Sequence, residues 1–142
     1  MKQLKILFVL ITMLCLSACQ STKTMADKLY NTAWELEYIT GPRITFNGLY
    51  PDRKPQITFN KTTNNVEGNA SCNGYRAEYT LNGNKITFGE PGPTTMMYCG
   101  EGEQTFLNTI KKINAYSFDE DGKLILMMDD VAMMRFKKTN EI

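Results

Sequence analysis

The chain has 142 residues, of which 16 are Lys or Arg and 15 are Asp or Glu, and it contains no histidine. This length fits one domain with one hydrophobic core and is too short for two domains of ordinary size. The balanced charge argues against binding to nucleic acid, which needs many clustered cations. The lack of histidine excludes Ser-His and Cys-His catalytic pairs and His-ligated zinc.

The N-terminus has the pattern of an export signal. Met1 to Lys5 is short and basic, and Ile6 to Leu14 is an apolar run of nine residues. A helix needs about 20 apolar residues to cross a bilayer, so this run is too short to span one and fits a secretory signal peptide instead. The run leads into Leu16-Ser17-Ala18-Cys19, which resembles the lipobox of bacterial lipoproteins.

The lipobox resemblance implies a lipid anchor on Cys19. It implies that a diacylglyceryl group is transferred to the Cys19 thiol, that the signal peptide 1–18 is removed, and that the new amine is acylated, commonly with palmitate. Two or more acyl chains hold a protein stably on a membrane, whereas one chain holds it only marginally. Residues 19–28 are therefore predicted to be a lipidated tether.

The tether is short and polar, and its first residues bear on localisation. The eight residues from Gln20 to Asp27 reach at most ~26–29 Å, so the domain is expected close to the bilayer. In enterobacterial lipoproteins an Asp directly after the acylated Cys favours retention in the inner membrane. Here Gln20 stands at that position, so we expect a lipid-anchored protein of the cell envelope, in the outer membrane and facing the periplasm.

Cysteine usage agrees with export. Cys15 lies in the signal and Cys19 becomes the lipid attachment, which leaves Cys72 and Cys99. Two cysteines in an oxidising compartment usually pair, and this bond would close a loop of about 28 residues, worth about 3.5 kcal/mol in the chain-entropy model. A redox pair or a reactive free thiol is the alternative, but neither a CxxC spacing nor a histidine supports it.

The rest of the chain reads as short strands interrupted by one helix. Apolar alternation and turn residues mark the strands, and the apolar period changes to that of a helix once, with lysines in the last turn. The predicted strands are Ala33–Ile39, Gln56–Phe59, Val66–Asn69, Tyr75–Leu81, Lys85–Phe88, Ala115–Phe118, Lys123–Met128 and Ala132–Lys137, and the predicted helix is Glu101–Ile113. The expected fold is α+β: a curved antiparallel β-sheet or partial barrel with one packed α-helix.

Two stretches of this pattern, Val66 to Phe88 and Thr94 to Cys99, resemble the META domain, or HslJ-like, family. The family positions are occupied here by Trp34, Pro55 to Phe59, Gly68, Cys72, Asn73, Tyr75, Tyr79, Thr95, Met97, Cys99, Glu103 and Phe106. The resemblance implies residues 29–138 as the domain, followed by a tail at 139–142. It also implies a small cell-envelope protein, in a family associated with heat shock, antibiotic tolerance and virulence, with no settled catalytic activity or ligand. One departure is Ser71, where the family usually has glycine; a positive φ there would strain the backbone.

Several polar residues are candidates for a site, each with a plainer interpretation. Asn73 and Tyr75 form a possible binding loop, although a local turn and a core position explain them more simply. Asp119 to Asp121 lacks the ligand spacing of a calcium loop and is expected to be a hairpin turn. Thr94 and Thr95 could cap the helix. No catalytic residue, metal site or cofactor is predicted.

The adjacent methionine pairs raise the question of a soft metal. Thioethers suit Cu(I), but methionine also fills irregular gaps in cores. Neighbours in a strand face opposite sides, so one member of each pair is expected to be buried and the other exposed. The three pairs are Met96-Met97, Met127-Met128 and Met133-Met134.

Three functions remain, from different classes. The first is a non-catalytic envelope module of the META type that binds or supports another envelope component under stress. The second is a lysozyme-inhibitor-like periplasmic lipoprotein, which needs a loop that enters the enzyme's cleft. The third is an enzyme that uses acids such as Glu78 or Glu103, or a thiolate, but no pair of acids at a persuasive spacing supports it. The expected partners are the membrane, through the acyl chains, and an unidentified envelope protein.

Overall fold

The computed structural model describes residues 25–94 and 97–139. The predicted signal peptide, Cys19, most of the tether, Thr95 and Met96 lie outside the described residues. Eight antiparallel strands follow one another around the sheet in chain order. The strands are β1 (Ala33–Ile39), β2 (Gln56–Asn60), β3 (Asn65–Asn69), β4 (Gly74–Asn82), β5 (Lys85–Phe88), β6 (Ala115–Phe118), β7 (Leu124–Met128) and β8 (Val131–Lys138).

The sheet closes completely, where the sequence predicted a curved sheet or a partial barrel. Strand β8 returns to pair with β1, so that Trp34 lies opposite Lys138 and Ile39 opposite Met134. The seam between β5 and β6 is the least paired, with the single register pair Lys85 and Ala115. Alternation identifies which face of a strand is buried but does not say which strands meet, and closure depends on that pairing.

The alternation along β1 separates the core from a charged outer surface. Trp34 and Leu36 are fully buried, while Glu37 points outward and binds Lys123 at 2.9 Å and Arg135 at 2.6 Å. Partial burial works against ionisation of Glu37, but hydrogen bonds from these two cations outweigh it and lower the pKa of this carboxyl. The outer face of β1 is therefore tied by charge to β8 and to the residue directly before β7.

Helix α2 (Glu101–Ile110) is the predicted helix and ends three residues earlier than expected. The next two hydrogen bonds, from Lys112 to Thr109 and from Ile113 to Ile110, span only three residues, which is the tighter 3₁₀ pattern common at helix ends. Phe106 and Ile110 are fully buried, so the helix packs its apolar stripe against the barrel interior. The described part of the chain contains no helix long and apolar enough to cross a bilayer.

A second helix, α1 (Phe46–Leu49), was not predicted. It has four residues, too few to show an apolar period, and Thr45 caps it by accepting a hydrogen bond from the Gly48 amide at 3.2 Å. Helix α2 begins directly against it, and a side chain at Gly102 would collide with the Leu49 carbonyl oxygen. Gly102 therefore permits the close approach that sets the start of α2.

Three local expectations are resolved in the turns. Asp119 forms the predicted hairpin turn: its carbonyl accepts from Gly122 at 3.0 Å and its carboxylate accepts from the Lys123 amide at 2.8 Å. Ser71 does not have a positive φ, so the departure from the family pattern causes no strain there. Thr94 does not cap α2, because Gly100 is the N-cap and makes no side-chain cap bond.

The methionine pairs follow the expected alternation only in part. Met134 is fully buried, as predicted, but Met133 is half-buried and packs against the core instead of being exposed. Met127 and Met128 are both half-buried, because the pairing of β7 with β8 shifts register between Leu126 and Met127. A bulge of this kind breaks the two-residue period locally.

Candidate functional site

A groove of about 600 Å³ lies between helix α2 and the loop that connects β5 to α2, residues 89–100. Most of its lining is apolar, and among the described residues that line it Glu103 carries the only charge. Concave, mostly apolar sites with a few convergent polar groups are typical of ligand-binding regions. Its lining includes Asn73, Met97, Tyr98, Cys99, Glu103 and Leu107.

Two apolar side chains of the β5–α2 loop are held out in solvent beside this groove. Met97 is 64% exposed and Tyr98 is 89% exposed. Loops carry binding residues disproportionately when a rigid scaffold positions them, and exposed tyrosines are frequent anchors at interfaces. These two residues therefore mark the loop as a candidate contact surface.

Asn73 fastens the β3–β4 turn to the β5–α2 loop. Its side chain is 2% exposed; the amide nitrogen donates to the Met97 carbonyl at 2.6 Å, and the amide oxygen accepts from the Met97 amide at 3.1 Å. The same nitrogen contacts both carboxylate oxygens of Glu103, at 3.1 and 2.9 Å. The Asn73 side chain therefore reaches beyond its own turn, because these partners are 24 and 30 residues away.

The predicted pair Cys72 and Cys99 is bonded in the structure, with Cα atoms 5.8 Å apart. The bond joins the β3–β4 turn to the loop directly beside Asn73, whose amide nitrogen lies 3.1 Å from the Cys99 sulfur. The exposed Met97 and Tyr98 thus stand on a loop segment held by one covalent bond and one buried amide. Such anchoring limits the rotamer and loop entropy that binding would otherwise cost.

Tyr75 lies in the core and does not share the groove with Asn73. It is buried, and its ring meets that of Phe106 edge-on with centroids 5.4 Å apart. Burial, together with the charge of Glu90, raises the pKa of the Tyr75 phenol. Its hydroxyl has no hydrogen-bond partner, which is an uncompensated cost inside the barrel.

Removing the Tyr75 hydroxyl is expected to stabilise the protein. Tyr75→Phe should raise the free energy of unfolding by up to ~1 kcal/mol, because a buried hydroxyl without a partner is unfavourable. Tyr50→Phe is the matched control: the Tyr50 hydroxyl is buried and donates to the Gly102 carbonyl at 2.9 Å, so its loss should cost about 1 kcal/mol. Urea unfolding of both variants measures the difference. If Tyr75→Phe lowers the free energy of unfolding as much as Tyr50→Phe does, the Tyr75 hydroxyl cannot be an unpartnered buried group.

Helical spacing in the sequence indicates part of this site, although strand alternation does not. Glu103 and Leu107 are four residues apart, which places them on one face of a helix, and the structure brings both into the groove. From the sequence, Glu103 stands out only as a family position and a candidate acid. Glu78, the other candidate acid, is exposed on β4.

Comparison with known proteins agrees with this architecture. A protein from Burkholderia xenovorans, solved by NMR, is similar in fold with a TM-score of 0.61 and 21% sequence identity, over 86% of this chain and 88% of that one. No curated protein is similar to the chain at a significant level. The META domain family matches residues 27–141, which is most of the chain and includes strands β1 to β8, helices α1 and α2, and the groove. The chain belongs to the META domain family.

Proposed function

We propose that this protein is a non-catalytic, lipid-anchored module of the cell envelope that binds a partner protein at the groove. The observation that carries the proposal is the pair of exposed apolar side chains, Met97 at 64% and Tyr98 at 89%, on a loop fixed by a disulfide. Rigidly presented aromatic residues contribute contact area at low entropic cost. If the loop served only to connect β5 with α2, keeping Met97 and Tyr98 in solvent would bring no benefit.

The position of the groove relative to the tether supports a role away from the membrane surface. Near the start of the domain, Asp27 pairs with Lys61 in the β2–β3 turn at 3.1 Å. Asn73 and the groove follow β3 at its other end. Asp27 and the groove therefore lie at opposite ends of this strand, so a domain anchored through Cys19 would direct the groove toward the periplasm.

The chemistry of the groove supports binding rather than catalysis. Its charged group, Glu103, receives hydrogen bonds from Asn73 on both carboxylate oxygens, and the sequence offers no histidine as a base. General acid–base work needs a group free to exchange a proton with the substrate. An acid whose oxygens are held by a buried amide is better suited to fixing the shape of the loop.

Photo-crosslinking tests this proposal. A benzophenone amino acid placed at Tyr98 in the host cell is expected to give a discrete adduct, because the side chain there stands at the contact surface. The same probe at Tyr38, an exposed tyrosine on the outer face of β1, is the matched control and should give none. Identical adduct patterns at both positions, or none at Tyr98, would overturn the assignment of the groove as the contact surface.

A lysozyme-inhibitor-like function is the second candidate, and one observation favours it. Tyr98 protrudes on a disulfide-anchored loop, and insertion of such a loop into an enzyme cleft is a familiar means of inhibition. A panel of bacteriolytic lysozymes assayed with and without the protein decides between the two. Inhibition that disappears in Tyr98→Ala would support this alternative.

A further inference from the structure

We propose that reduction of the Cys72–Cys99 disulfide creates a zinc site at the floor of the groove, formed by the two cysteine thiolates and the Glu103 carboxylate. This inference does not depend on what the groove binds in its oxidised form. In the oxidised protein the two sulfurs are bonded to each other and cannot act as thiolate ligands. The proposal therefore departs from the sequence analysis, which predicted no metal site.

The three ligand atoms are already close together. The Cys72 sulfur, the Cys99 sulfur and a Glu103 oxygen all lie within 4.8 Å of one another. On a tetrahedral zinc with bonds of about 2.3 Å to sulfur and 2.0–2.2 Å to oxygen, ligand atoms are about 3.3–3.8 Å apart. Small side-chain rotations would therefore suffice, with a water molecule as the fourth ligand from the groove.

The surroundings favour ligation by the reduced pair. Asn73 donates to both the Cys99 sulfur, at 3.1 Å, and Glu103, at 2.9 Å, so one buried amide orients two of the three ligands. Groups of this kind behind a metal site commonly raise affinity tenfold or more. The ten-residue helix α2 begins two residues after Cys99, and its N-terminal dipole favours thiolate over thiol.

The redox step balances with a dithiol reductant. The reductant transfers two electrons and two protons to the S–S bond, which becomes two thiols while the dithiol becomes its own disulfide. Binding of Zn²⁺ then releases the two thiol protons and forms two Zn–S bonds and one Zn–O bond. The carboxylate oxygen makes the site better suited to Zn²⁺ than to Cu(I), which prefers sulfur alone.

Zinc titration of the reduced full chain is the test. In a chain carrying Cys15→Ser and Cys19→Ser, so that only Cys72 and Cys99 remain, the reduced protein should take up one zinc per chain from a chromogenic chelator and the oxidised protein none. Glu103→Gln keeps an oxygen for Asn73 but should weaken zinc binding at least about tenfold. Glu101→Gln, an exposed acid in the same helical turn, is the matched control and should leave the affinity unchanged. Cobalt in place of zinc should give the thiolate charge-transfer band of a tetrahedral site.

Circular dichroism during the titration detects any loss of structure that reduction causes. If the reduced chain is partly unfolded, zinc should restore the folded signal in the parent chain but not in Glu103→Gln. Equal zinc affinity in Glu103→Gln and the parent would overturn the proposal, because two cysteines alone would then account for binding. Binding by the oxidised protein, or no binding by the reduced one, would overturn it equally.

Discussion

Replacing Cys19 with alanine is expected to abolish lipidation and to leave an uncleaved precursor. Without the thiol there is no attachment point for the diacylglyceryl group, and processing before Cys19 depends on that group in proteins with this motif. The mature, detergent-partitioning species should disappear almost completely, because stable anchoring needs two or more acyl chains. Intact mass of the purified protein, together with detergent partitioning, measures the change.

Cys15 provides a matched control for that experiment. It lies four positions before Cys19 within the predicted signal peptide, so Cys15→Ala also removes one thiol but leaves the lipobox intact. The control should process and partition like the wild type. If Cys19→Ala yields the same lipid-modified mass and the same partitioning as the wild type, the anchor is elsewhere and the outward orientation of the groove loses its support.

The strands could be predicted from the sequence wherever apolar and polar residues alternate regularly. Ala33–Ile39 has the bounds that were predicted, because buried Trp34 and Leu36 alternate with acidic residues and Gly41-Pro42 stops the strand. The alternation breaks at Tyr38, which is exposed beside a register shift. Lys85–Phe88 also matches, since glycine next to asparagine favours a tight hairpin turn. Asn82 pairs with Lys85, so the turn itself is made by Gly83 and Asn84. Helix α1 was missed because four residues cannot show an apolar period. Closure of the barrel was missed because pairing of β1 with β8 joins residues about a hundred positions apart.

The candidate site was predictable in its covalent part and not in its polar part. The compartment implied by the N-terminus and the number of cysteines were enough to pair Cys72 with Cys99. Asn73 illustrates the limit: asparagine beside glycine is usually a local turn residue, and only the folded chain brings Met97 and Glu103 within its reach. The exposure of Tyr98 is likewise a tertiary result, since nothing local keeps a tyrosine in solvent.

The bond between Cys72 and Cys99 and the amide of Asn73 act on the same few residues. Both connect the β3–β4 turn to the β5–α2 loop, so their contributions are expected to be coupled rather than additive. With the bond present, the Asn73 side chain has a preformed partner at Met97. Without it, Asn73 must hold that loop segment alone, at the entropic cost of ordering it.

Loss of the disulfide should therefore be the largest stability change among the substitutions considered. In the double variant Cys72→Ala/Cys99→Ala, the free energy of unfolding is expected to fall by about 3.5 kcal/mol, because the unfolded chain regains the freedom of a loop closed over a separation of 27 residues. For a domain of this size that corresponds to a melting temperature lower by about 10–15 °C. Denaturant unfolding with and without a reductant measures it.

Adding a reductant to the wild type also distinguishes the effect of losing the disulfide from other effects of replacing the two cysteines. It should destabilise the wild type by nearly the amount lost in the double variant and should leave the double variant itself unchanged, since no other described cysteine remains to be reduced. Because the loss of about 3.5 kcal/mol is smaller than the stability of most domains, the reduced barrel should stay folded while the loop that carries Tyr98 loosens. A wild type whose unfolding midpoint does not respond to the reductant would show that the bond contributes nothing to stability and that Asn73 alone holds the loop.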